Sequence, residues 1–138
     1  MHEYRRRLYV DGHAGCIVHG DNISVQYEYG SHLLLITNHD WFEGTSHWFY
    51  WLNSSGHVVD QASTPDYFGF IQDLAVDEPD TIRFGFFGTN DKWSLLVSEP
   101  GVWSFAPAHL LRRANRFLLA KRHLSFNCIK GEPWTLPA

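Results

Sequence analysis

The chain has 138 residues, 44% hydrophobic and 16% aromatic, with a formal net charge of −4. That length suits a single domain over residues 1–138 that buries a core without staples, and that composition excludes a disordered chain. No apolar run approaches the ~18 residues of a membrane span or follows the basic start as a signal core would, so a cytosolic protein with no membrane partner is expected.

From Arg7 to Asp60 short β-rich runs alternate with turn residues, the signature of an antiparallel meander. Asp11-Gly12 follows Leu8-Tyr9-Val10, and His19-Gly20-Asp21-Asn22 separates Cys16-Ile17-Val18 from Ile23 to Tyr29. The last run alternates, with Ile23, Val25, Tyr27 and Tyr29 on one face and Ser24, Gln26 and Glu28 on the other. Gly30-Ser31 can close a two-residue II′ hairpin that sets Tyr29 against His32, Tyr27 against Leu34 and Val25 against Ile36. His32 to Thr37 is then apolar on both faces, as is His47 to Leu52, and such strands sit mid-sheet or under a covering element.

Thr64-Pro65-Asp66 reads as a helix start, and Tyr67, Phe68, Ile71, Leu74 and Ala75 make one apolar stripe, predicting a helix over Pro65 to Ala75. A hairpin of Thr81 to Phe87 and Trp93 to Ser98 follows, then a type II turn at Pro100-Gly101 before Val102 to Phe105. Leu110, Leu111, Ala114, Phe117 and Leu118 predict a second helix over Pro107 to His123. The expected class is α+β: an antiparallel meander of six to eight strands with the two helices mainly on one face.

Charge is unevenly divided. Between Leu8 and Gly101 there are 13 acids and two bases, Arg83 and Lys92, a balance of −11. The second predicted helix holds Arg112, Arg113, Arg116, Lys121 and Arg122 and no acid. Two acidic groups stand out as partner-binding candidates: Asp40 and Glu43, beside Trp41, in the loop after the third full strand, and Asp73, Asp77, Glu78 and Asp80 around the end of the first helix. Acids there oppose the helix dipole, so local stability does not account for them. An acidic face attracts a basic protein and repels nucleic acid, for which no recognition motif is present.

No motif for catalysis appears: there is no GxSxG, no phosphate loop and no cysteine in a nucleophile context. Cys16 and Cys128 stand far apart in no ligand spacing, which suits a reducing compartment. His39, Asp40, Glu43 and His47 form the best metal constellation, yet their spacing matches no HExxH helix and no HxH strand pair, so no metal or other cofactor is expected. Trp41, Phe42, Trp48, Phe49, Tyr50 and Trp51 crowd eleven residues; on a strand Trp48 and Tyr50 face opposite to Phe49 and Trp51, and whichever of these pairs is exposed could anchor a protein or stack on a sugar.

Small, acidic-bodied, aromatic-rich and without a catalytic signature, the whole chain resembles in type the bacterial immunity proteins of contact-dependent inhibition and other polymorphic toxin systems. That resemblance rests on no motif and assigns no residue. It implies a cytoplasmic protein, not an enzyme, that binds and neutralises a cognate toxin domain, often a basic nuclease. The alternative is a small-molecule or carbohydrate-binding domain using the aromatic strand.

Overall fold

The computed structural model describes residues 5–10, 12–64, 69–105, 112–113 and 119–131. These residues form eleven strands: β1 (Arg5–Val10), β2 (His13–His19), β3 (Asn22–Tyr29), β4 (His32–Trp41), β5 (Gly44–Leu52), β6 (Val58–Ser63), β7 (Ile71–Glu78), β8 (Thr81–Phe86), β9 (Lys92–Phe105), β10 (Arg112–Arg113) and β11 (Leu119–Ile129). They pair into a hairpin β1-β2, a five-stranded sheet β10-β6-β5-β4-β3 and a four-stranded sheet β11-β9-β8-β7, with every pairing antiparallel. Among the described residues there is no helix, and so none long and apolar enough to cross a membrane.

The arrangement is layered. One face of the five-stranded sheet presents Leu34, Ile36, Phe49 and Trp51 to Ile82, Phe84, Phe86, Trp93, Leu95, Val97 and Leu124 of the four-stranded sheet. Its other face presents Leu35, Tyr50 and Leu52 to Val18, Leu8 and Cys16 of the β1-β2 hairpin. Leu34 and Leu35 are thus 0% and 1% exposed although they point in opposite directions. This is why β4 and β5 read as apolar on both faces: each is central in its sheet and covered twice. The β3–β4 register pairs Tyr29 with His32, Tyr27 with Leu34 and Val25 with Ile36. Gly30 takes the positive φ (59°) that the first central residue of a II′ turn requires.

The expected α+β class is corrected to all-β over the described residues. Residues 71–75 of the first predicted helix are strand β7, while 65–68, which include Tyr67 and Phe68, lie outside the described residues. The misleading signal is a β-bulge. Gln72 pairs with Gly85 and Ala75 with Arg83, so the strand carries an extra residue there, and Asp73 adopts a φ of 56°. A bulge resets the two-residue alternation, and Ile71, Leu74 and Ala75 acquire helical spacing without a helix. The hydroxyl of Thr64, the expected cap, instead accepts the backbone N–H of His47 on β5 at 3.0 Å.

The second predicted helix is corrected in the same way. Arg112 and Arg113 pair with Ser63 and Ala62 on β6, and Leu119 to Arg122 pair with Phe105 to Val102 on β9. Residues 106–111 and 114–118 lie outside the described residues. A leucine- and arginine-rich run favours helix by only tenths of a kcal/mol per residue, which long-range pairing readily overrides. The Pro100-Gly101 turn is nested within β9, where the stretch between Val97 and Val102 faces only His123 on β11. At this break one Asp60 oxygen, Oδ2, accepts the backbone N–H groups of His123 (2.8 Å) and Leu124 (2.9 Å). Strand β6 is thereby tied to the opposite sheet.

Candidate binding surface at one end of the sandwich

The β4–β5 hairpin is ordered to its last pair, Trp41 with Gly44, leaving Phe42 and Glu43 as the turn. Asp40 and Trp41, expected in a loop, are therefore strand residues. Asp40 Oδ1 accepts the Thr45 hydroxyl at 2.9 Å, and the Trp41 indole N–H donates to Ser46 Oγ at 2.8 Å. The Trp41 ring stands edge-on to His39, with centroids 4.4 Å apart. Beyond these contacts Phe42 projects into solvent, fully exposed, and Glu43 is exposed beside it.

His39 and His47 do not converge. His39 pairs with Ser46 and His47 with Asn38, and alternation puts the two imidazoles on opposite faces of the sheet. His39 faces the β1-β2 side, where Asp21 Oδ1 lies 3.2 Å from its Nδ1. His47 points into the core between the sheets, almost fully buried, with Nε2 2.8 Å from the Gly69 carbonyl and the Phe86 ring tilted against it at 5.5 Å. Burial lowers its pKa below the ordinary 6.5, against the opposing pull of the Gly69 bond and the Asp40 charge. Among the described residues no group of three or more His, Cys, Asp or Glu is placed to hold a metal ion.

Gly69 brings the chain from β6 toward β7 and leaves no room for a side chain: a Cβ there would come within 2.1 Å of the Phe87 oxygen. Next to it Phe70 stacks on Phe87, with centroids 4.8 Å apart and planes 10° from parallel, and both rings are about half exposed. Because Gly69 touches His47, and the hairpin tip begins three residues before His47, this pair occupies the same end of the sandwich as Phe42. These three phenylalanines, exposed among the described residues, were not among the sequence candidates. Phe42 was visible in the aromatic run, but nothing local marks it as exposed.

The second acidic group is strung along β7, the edge strand of its sheet among the described residues. Asp73 lies in the half of the strand nearer Gly69, with Asp77 and Glu78 about 13 to 17 Å further along at the usual rise per residue and Asp80 in the turn beyond them. At that far end the Tyr27 hydroxyl donates to the Pro79 carbonyl at 2.8 Å, and the exposed Asp77 pairs with Arg83 at 2.8 Å. Asp80 is half-buried, its Oδ1 accepting the Thr81 hydroxyl at 3.2 Å. Leu74 and Val76, between these acids, are also about half exposed. The structure thus gathers Asp40, Trp41 and Glu43 at the hairpin tip of one sheet, and strings Asp73, Asp77, Glu78 and Asp80 along β7 and its turn in the other.

The rest of the aromatic run is interior. Phe49 and Trp51 lie in the inter-sheet core and Tyr50 under the hairpin, while Trp48 is half-buried against His19 at 5.6 Å. The Tyr50 hydroxyl accepts the His19 backbone N–H at 2.9 Å, and burial pushes its pKa up to about 12. Cys16 and Cys128 are free thiols belonging to different layers, and burial raises the pKa of both. A cleft of about 520 Å³ lies against the four-stranded sheet, lined mainly by amide, hydroxyl and charged side chains such as Gln72, Arg83, Ser94 and Asn127. No protein-family model, curated protein or solved structure matches the chain.

Proposed function

We propose that this chain is a cytoplasmic immunity-type protein that binds a basic toxin domain and neutralises it by occupying its working surface, without catalysis of its own. The observation that carries this reading is strand β7, where Asp73, Asp77 and Glu78 are exposed together with Leu74 and Val76 along a sheet edge. Exposed apolar side chains interleaved with acids suit a protein partner: the acids steer a basic surface into place, and the apolar groups are desolvated once it docks. The bulge and the positive φ of Asp73 break the ladder, so the edge does not offer a long flat template to chance strands.

The carbohydrate alternative drew on the aromatic strand, and Phe49, Tyr50 and Trp51 are buried where no sugar reaches them. The test is protection. The C-terminal domain of whatever protein the adjacent gene encodes is expressed in cells with and without this chain, and growth is followed. Arrest relieved by the parent chain is expected. Arrest that persists despite soluble expression of the chain would contradict the reading.

A further inference from the structure

We propose that the β4–β5 hairpin tip is the anchoring finger of the complex, with Phe42 entering an apolar pocket rimmed by Lys and Arg on the basic partner. This rests on the functional reading above and goes beyond it by choosing which end of the molecule carries the affinity. Phe42 is 105% exposed, so folding gains nothing from its apolar surface and all of it is left for a partner.

Isolated exposed apolar residues are ordinary, but Phe42 sits on a hairpin that is not loose. The stacked Phe70 and Phe87 share its end of the sandwich, and the hairpin is locked up to its turn by the Asp40–Thr45 and Trp41–Ser46 bonds and the Trp41–His39 contact. A finger already held in one conformation loses little freedom on docking, so most of the desolvation gain appears as affinity. Aromatic anchors of this kind dominate protein interfaces.

Charge names the occupant. Asp40 and Glu43 flank Phe42 and are exposed, so the rim of a complementary pocket is cationic. The same two carboxylates are repelled by an anionic lipid surface or a phosphate backbone.

The experiment uses the full chain and, as probe, the C-terminal domain of the protein encoded by the adjacent gene, with association and dissociation followed separately. Phe42→Ala is expected to speed dissociation about thirtyfold or more, leaving the association rate and thermal midpoint nearly unchanged. Phe42→Trp should stay within about threefold of the parent, because the pocket accepts an aromatic ring. A complex that forms with the parent and is held as tightly by Phe42→Ala overturns the finger while leaving the functional reading intact. Phe42-dependent sedimentation with phosphatidylcholine vesicles, or Phe42-dependent self-association of the chain alone, would also overturn it. Absence of any complex with the parent overturns the functional reading, and the finger with it.

Discussion

Nε2 of His47 lies 2.8 Å from the carbonyl oxygen of Gly69, so that nitrogen of the buried imidazole carries a proton and donates it to the carbonyl. The bond fastens β5 to the segment that leads from one sheet to the other. The ring's pKa is lowered chiefly by burial, so the unfolded chain takes up a proton at a pH where the folded one does not. Stability from this group is therefore full above pH 6.5 and falls as the pH drops below that value toward the depressed folded pKa. His47→Gln cannot titrate. Its denaturation midpoint should lose that part of the acid sensitivity, and identical pH profiles for the two proteins would refute the assignment.

Asp60 supplies a second tie between the layers, since one of its oxygens accepts two backbone N–H groups at the break in β11. Bonds to a charged acceptor are the stronger kind, and removing it strands both donors. Asp60→Ala should cost about 2 to 4 kcal/mol in a urea titration, and Asp60→Asn, which keeps an acceptor, clearly less. Equal losses for the two variants would show that the carboxylate acts in some other way.

The layered core predicts that adjacent residues matter alike. Leu34→Ala and Leu35→Ala should each cost about 2 to 5 kcal/mol, because one opens the inter-sheet core and the other the core under the hairpin. If Leu35→Ala were nearly neutral, the β1-β2 hairpin would not be packed as described.

Much of the first half was legible in the sequence because its strands follow the pleat. Alternation in β3 and the Gly30-Ser31 turn determine the β3–β4 register, and the doubly apolar β4 announces cover on both sides. The signal failed where regular pairing is interrupted. In β7 the bulge at Asp73 turns alternation into helical spacing, and in β11 the residues obey strand partners on β9 rather than their own helical preference. The acidic candidates were visible as composition, but their division between two sheets depends on topology. The exposure of Phe42, Phe70 and Phe87 is likewise set by what packs around them, which no local pattern encodes.

The proposed guidance of a basic partner by acids on this surface is tested most directly by association rate against ionic strength. The parent chain and the proposed basic partner should associate fast at low salt and progressively more slowly as salt screens the approach over about a Debye length, 8 to 10 Å at 0.1 to 0.15 M. Replacing Asp73, Asp77, Glu78 and Asp80 by Asn or Gln should lower the rate and flatten that dependence, while thermal stability holds. Replacing Asp40 and Glu43 should flatten it separately. A complex whose association rate is indifferent to salt, or unchanged in both variants, would contradict the account.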